Sequence, residues 1–188
     1  MKNNFIRLAG VLFIISAVAA GALAWLNDAT KDRIAINDLS ASMSPEVIQA
    51  VAPGAETFVP FEDSNLVETI KAENGKFVDL LTIVDGSGNE MGTVVQTLTP
   101  TPGYKGDMEL YIGIDKDGKF TGMSVIAHSE TSGLGTRTTE EGFWGQFVGK
   151  DASAEVVDYD IIAGVTKSSV SFVSAVNNAV SIYNQYLK

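Results

Sequence analysis

Three segments combine residue types and spacings suited to chemistry. In Thr99-Pro100-Thr101-Pro102-Gly103-Tyr104-Lys105-Gly106, two prolines and two glycines make a stiff turn that projects a phenol and an amine. In His128-Ser129-Glu130-Thr131-Ser132-Gly133-Leu134-Gly135-Thr136, Gly133 and Gly135 let backbone N–H groups come close to a ligand. Glu130, Thr131 and Ser132 add hydrogen-bonding groups there. In Asp160-Ile161-Ile162-Ala163-Gly164-Val165-Thr166, Gly164 and Thr166 stand at the start of a final helix. Free N–H groups and the helix dipole suit that place to an anion such as phosphate. Taken singly, each segment has a plainer explanation: a loop between strands, a structural His128, and Thr166 and Ser168 as helix caps.

Composition narrows the chemistry. The 188 residues include no cysteine and one histidine. Disulfides, thiol nucleophiles and cysteine-held clusters are excluded, and so is a two-histidine metal site within the chain. No catalytic residue and no metal ligand is therefore assigned, and redox chemistry would need an organic cofactor. The net charge of -10 argues against nucleic acid as a partner.

The elements that position these segments follow from periodicity. Ser44-Pro45-Glu46 starts a short helix carrying Val47, Ile48 and Val51, and Pro53-Gly54 stops it. Extended segments are expected at Thr57–Phe61, Leu66–Lys71, Phe77–Val84, Met91–Leu98, Asp107–Ile114 and Lys119–Ala127. Asn74-Gly75 reads as a hairpin turn. Asp115-Lys116-Asp117-Gly118 reads as a plain turn, since the later ligands of a calcium loop are missing. Thr139 to Val148 reads as helical. Val170, Val173, Val176, Val180, Tyr183 and Leu187 form one apolar stripe on a last helix, with Ser168 or Ser169 as its cap. The loops are too short for helical crossovers, so the sheet is antiparallel and the class is α+β with helices packed on it.

Ahead of this domain, Leu8 to Leu26 is an uncharged apolar run of about 19 residues, or roughly 28 Å as a helix, enough to cross a bilayer core. The small residues Ala17-Val18-Ala19 and Ala22-Leu23-Ala24 resemble signal-peptide cleavage sites. The length of the run and its lack of a polar end favour a retained anchor. The short basic N-terminus, Lys2 and Arg7, favours the cytoplasm and so places residues 27–188 outside the cell membrane. The division expected is a cytoplasmic tip and single transmembrane helix (1–26), a stalk and short helix (27–55), and an extracytoplasmic domain (56–188). Without Lys2 and Arg7, 11 basic residues face 23 acidic ones, and a net -12 keeps the outer part off anionic lipid.

Taken together, the segments resemble those of the flavin-carrying FMN-binding domains of Rnf and Na⁺-pumping NADH:quinone oxidoreductase complexes. His128–Gly135 is similar to their HxETPGLG block, with Ser132 at the proline. Asp160–Thr166 is similar to their flavinylation motif, Dxx(S/T)GAT, with Ala163 at the Ser/Thr and Val165 at the alanine. Val51–Ala55, Gly103–Gly106 and Trp144–Lys150 also fall in the family's order, and the short length is more like the Rnf G subunits than the larger quinone-reductase C subunits.

The resemblance implies a membrane-anchored, single-pass electron-transfer subunit with no substrate turnover of its own. It implies FMN joined covalently through a phosphoester to Thr166 by a separate flavin transferase. Asp160, Ala163, Gly164, Val165 and Thr166 make up the flavinylation motif. Glu130, Thr131, Leu134 and Gly135 are implied to hold the cofactor, Tyr104 and Lys105 to flank it, and Gly164, Lys167 and Ser168 to complete the site. A lysine near the ring would favour the anionic flavin. The implied partners are the other membrane and peripheral subunits of the complex, the transferase during maturation, and lipid around residues 8–26. Two alternatives stay open: a non-redox binding or assembly module that lost the flavin, and a stand-alone flavin protein of an extracellular electron-transfer chain.

Overall fold

The structure, a computed structural model, describes residues 7–25 and 43–188. The tip at residues 1–6, Leu26 and the stalk at 27–42 lie outside the described residues. The chain divides into two compact units between Ser42 and Met43. In the first, α1 (Arg7–Trp25) is 19 residues long with a mean hydropathy of 2.2, long and apolar enough to cross a membrane.

The second unit is built on a five-stranded antiparallel meander in the order β1-β2-β3-β4-β5. Its strands are β1 (Thr57–Pro60), β2 (Phe77–Val84), β3 (Glu90–Leu98), β4 (Glu109–Asp115) and β5 (Phe120–Ala127). Alternate side chains feed two cores on opposite faces. Leu80, Val95, Leu110, Ile112 and Met123 join the larger core beneath the C-terminal helix. Leu81, Ile83, Val94 and Tyr111 join the smaller one, against α2 (Pro45–Val51). The α2 helix starts as its residues require, with Ser44 Oγ accepting from Val47 N–H at 3.4 Å. Its C-terminal end sits on the paired Gly113 and Gly122 of β4 and β5, where a Cβ on either residue would overlap the carbonyls of Ala50 and Val51. Asp115-Lys116-Asp117-Gly118 closes the β4–β5 turn, with Asp115 Oδ1 accepting from Asp117 and Lys119 N–H at 2.9 and 2.8 Å.

Three expectations about local structure ahead of the last helix are corrected. The extended segment at Leu66–Lys71 is instead part of helix α3 (Ser64–Glu73). Val67 and Ile70 bury one face of it, and Asp63 Oδ1 accepts from Asn65 and Leu66 N–H at 3.1 Å each. Burial at three-residue spacing outweighs the β-branched content. Asn74-Gly75 is therefore the end of a helix rather than a hairpin, and Asn74 N–H donates to Ile70 O at 2.8 Å. The Thr139 to Val148 stretch is broken into 3₁₀ turns at Gly135–Thr139 and Gly145–Phe147 around a single α-turn, α4 (Glu141–Trp144). Here Phe143 and Phe147 pack edge-on to each other and both meet Phe172.

The last helix, α5 (Thr166–Ile182), is buried around more of its circumference than one valine stripe. Phe172, Ala175 and Ala179 are buried, while Val170 is 38% exposed. Ser168 and Ser169 do not cap it: the N-cap is Val165, with no side-chain bond. Ser169 Oγ donates back to Val165 O at 3.0 Å, and the other buried serines bond to loops. A short π-helical turn, Tyr183–Leu187, ends the chain.

Candidate functional site

The three segments singled out by their chemistry meet at the N-terminus of α5, and Glu130 joins them. Glu130 is 8% exposed. Oε1 accepts from Tyr104 N–H at 2.7 Å and Lys105 N–H at 3.3 Å, and Oε2 accepts from Ser168 Oγ at 2.8 Å. One side chain thus links the Pro/Gly turn, its own block and the helix start. It also explains two glycines, because a Cβ on Gly103 would overlap Oε1 and one on Gly135 would overlap Oε2. His128 lies beside it, exposed, with Nδ1 accepting from Glu130 N–H at 3.2 Å. That contact orients the backbone of Glu130.

The Pro/Gly turn is docked twice more on α5. Ser174 Oγ accepts from Thr101 N–H at 3.0 Å, and Ser171 Oγ donates to Thr101 O at 2.7 Å. Thr99 Oγ1, fully buried, accepts from Met108 N–H at 3.0 Å. Serines at three-residue spacing (168, 171, 174) are the sequence signal that could have revealed this docking face.

A cavity of about 220 Å³ opens beside Glu130, lined by Tyr104, Glu130, Thr131, Leu134, Gly135, Gly164, Val165, Lys167 and Ser168. Eight of the ten residues expected around the cofactor line it. Lys105 does not, and joins the site through its backbone N–H alone. Thr166 stands between two lining residues, exposed, and its hydroxyl has no partner among the described residues. Gly164, at φ +79°, turns the chain into the helix. Val165 is buried, whereas Ala163 and Asp160 are exposed and outside the cavity. Gln146, unassigned from sequence, holds the backbone of Asp160 at 2.7 and 3.2 Å.

The arrangement suits one kind of ligand. An α-helix without a side-chain cap offers its first N–H groups, with the positive dipole end, at the cavity edge. Lys167 adds a cation, and Tyr104 (69% exposed) and Leu134 (50% exposed) form an open apolar rim. A phosphate at the helix start and a flat ring against the rim fit these residues. Among the described residues, no cluster of His, Asp or Glu has metal-ligand geometry.

Fold and site together define an FMN-binding domain, and residues 103–181 match the family described by that name. The whole chain is 36% identical over 200 residues to the G subunit of the Na⁺-translocating ferredoxin:NAD⁺ oxidoreductase complex of Acetobacterium woodii. That match covers 97% of this chain and 93% of the relative. It is 33% identical to the G subunit of the ion-translocating oxidoreductase complex of Methanosarcina acetivorans, over 90% of this chain and 89% of that one. A shorter stretch, 42% of this chain and 46% of the relative, is 35% identical to the G subunit of a proton-translocating ferredoxin:NAD⁺ oxidoreductase complex of Clostridium ljungdahlii. The chain belongs to the family of G subunits of ion-translocating oxidoreductase complexes, known as Rnf complexes.

Proposed function

We propose that this protein is the membrane-anchored flavin subunit of an ion-translocating ferredoxin:NAD⁺ oxidoreductase complex, with FMN joined by a phosphoester to Thr166. The observation that carries the reading is the unpartnered, exposed Thr166 hydroxyl. It stands at an uncapped helix N-terminus, beside a cavity that gathers the other expected residues. When bound, FMN supplies one- and two-electron redox chemistry. The chain holds and orients. The N–H groups at the start of α5 and Lys167 stabilise the phosphodiester charge. Glu130 locks the Pro/Gly turn against α5, so that Tyr104 faces the ring's position. A 220 Å³ cavity lies below the roughly 300–1,000 Å³ range of pockets that enclose a small molecule. A flavin held here keeps an edge at the surface, which suits a carrier that passes electrons to neighbouring subunits.

In this reading α1 spans the cytoplasmic membrane, surrounded by lipid, and residues 56–188 form the flavin domain on the outer side. The other membrane and peripheral subunits supply the nicotinamide and ferredoxin chemistry and the ion path. A flavin transferase loads the threonine during maturation. The test is the mass of the Thr166 peptide in protein from its native host. An FMN-phosphate adduct is expected there, and an unmodified peptide in assembled complex would overturn the covalent claim. Sidedness is read separately. Because the chain has no cysteine, a single Ser87→Cys in the exposed β2–β3 turn should react with an impermeant maleimide in intact spheroplasts. Labelling only after lysis would place the domain inside.

A further inference from the structure

We propose that Gln146 is a positioning residue for the covalent loading of this protein, holding Asp160 in fixed relation to the acceptor hydroxyl of Thr166. The proposal rests on the reading that Thr166 is the attachment site.

Residues 155–162 form no helix or strand, yet their backbone is held at four points. Asn177 of α5 brackets Val156, accepting from its N–H at 2.8 Å and donating to its carbonyl at 3.0 Å. Gln146 brackets Asp160 in the same manner, accepting from its N–H at 2.7 Å and donating to its carbonyl at 3.2 Å. Between them Lys150 Nζ donates to Asp158 O at 3.4 Å, and beyond them Ser169 Oγ accepts from Ile162 N–H at 3.4 Å. A carboxamide has one acceptor oxygen and two donor hydrogens. Gln146 also donates to Phe143 O at 2.8 Å, which ties it to its own turn and makes it a fixed post.

After Asp160 the chain makes one turn, closed by Val165 N–H to Ile162 O at 2.9 Å, and enters α5 at Thr166. The Asp160 carboxylate is exposed and has no partner among the described residues, like the Thr166 hydroxyl. Two free groups six positions apart are thus carried on backbones that are fixed independently, one by Gln146 and one by the helix. Gln146 does not line the cavity, so its effect on loading runs through the acceptor segment.

In the loading step the Thr166 Oγ1–P bond forms as the phosphoanhydride bond of a flavin dinucleotide breaks. A nucleoside monophosphate leaves with the bonding pair, and the hydroxyl proton passes to the transferase or to solvent. An enzyme that reads the carboxylate and the hydroxyl together binds a pre-ordered segment at lower entropic cost than a loose one.

The experiment follows the flavinylated fraction of the Thr166 peptide over time after induction of the full-length chain in its native host, by mass spectrometry. Wild type should load and Thr166→Ala should not. Gln146→Ala should load about tenfold more slowly, the loss expected when a pre-ordered segment is released. Asn177→Ala removes the sister bracket at Val156 and leaves that at Asp160, so it should load at the wild-type rate. The thermal midpoint of Gln146→Ala should fall no further than that of Asn177→Ala. Loading of Gln146→Ala at the wild-type rate overturns the proposal. So does equal slowing in Asn177→Ala, which would make the effect general loosening. An unmodified wild-type peptide would instead remove the attachment reading itself, and this proposal with it.

Discussion

Replacing Glu130 by alanine tests whether one carboxylate joins the site. The variant removes the acceptor of three hydrogen bonds, from Tyr104 N–H at 2.7 Å, Lys105 N–H at 3.3 Å and Ser168 Oγ at 2.8 Å. Hydrogen bonds to a charged group contribute about 1.5–3 kcal/mol each. Tyr104 and Lys105 lie in an exposed turn, so water recovers part of theirs. Ser168 is 2% exposed and loses its partner in full. The net loss should be about 3–4 kcal/mol. For a protein of this size that is a fall of roughly 6–16 °C in thermal midpoint. Glu130→Gln is the control, since its carbonyl oxygen can serve Tyr104 while its amide donates to a rotated Ser168 hydroxyl. It should lose only about 1 kcal/mol. Circular dichroism melts of the detergent-solubilised full chain measure both. A Glu130→Ala midpoint within about 3 °C of wild type, or equal losses in the two variants, would refute the argument that Glu130 holds the segments together.

Gly135→Ala should displace Glu130, because the added methyl overlaps Oε2, and cost about 1–3 kcal/mol in the same melts. An unchanged midpoint would mean that the block has slack the geometry does not show. Thr166→Ala should abolish the FMN adduct while leaving flavin-free stability within about 0.5 kcal/mol, because the exposed hydroxyl caps nothing. Thr166→Ser should keep the adduct. The Tyr186 phenol donates to Glu73, and that bond, with burial and the charge of Glu73, raises its pKa above the ordinary 10.0. The neutral phenol is thus favoured by folding. Its stabilisation is present below pH 10.0 and is lost as pH rises through the higher folded value. The phenolate absorbance that disappears in Tyr186→Phe should titrate late in wild type and earlier in Glu73→Gln; equal curves would refute the pairing.

Much of the fold was legible in the residues. The β2 strand, Phe77–Val84, falls at the expected bounds, and the meander follows from loops too short for crossovers. Turn chemistry was legible at Ser44 and Asp115, where the side chain acts on its own neighbours. Legibility failed where the partner is remote. The period of Leu66, Val67 and Ile70 was lost among β-branched neighbours until α3 packed on the sheet. The serines of α5 looked like caps and are bonded to loops about 40 to 70 residues earlier, at Glu130 and Thr101.

The candidate site divides along the same line. Residue types alone determined that any redox chemistry must come from an organic cofactor and that one apolar run can anchor the chain, and the order of the three segments carried the resemblance that makes Thr166 the proposed attachment site. Only the tertiary structure decided that Glu130 is the joint, that Gly103 and Gly135 are glycines to make room for it, and that Gln146 holds Asp160. It also decided that the ammonium of Lys105 stands outside the cavity while its N–H belongs to the site. Local signals reach only a few residues along the chain, as hydrogen bonds within a turn do. A carboxylate that binds residues 25, 26 and 38 positions away has no periodic trace in sequence, because its partners are brought to it by packing of the whole domain.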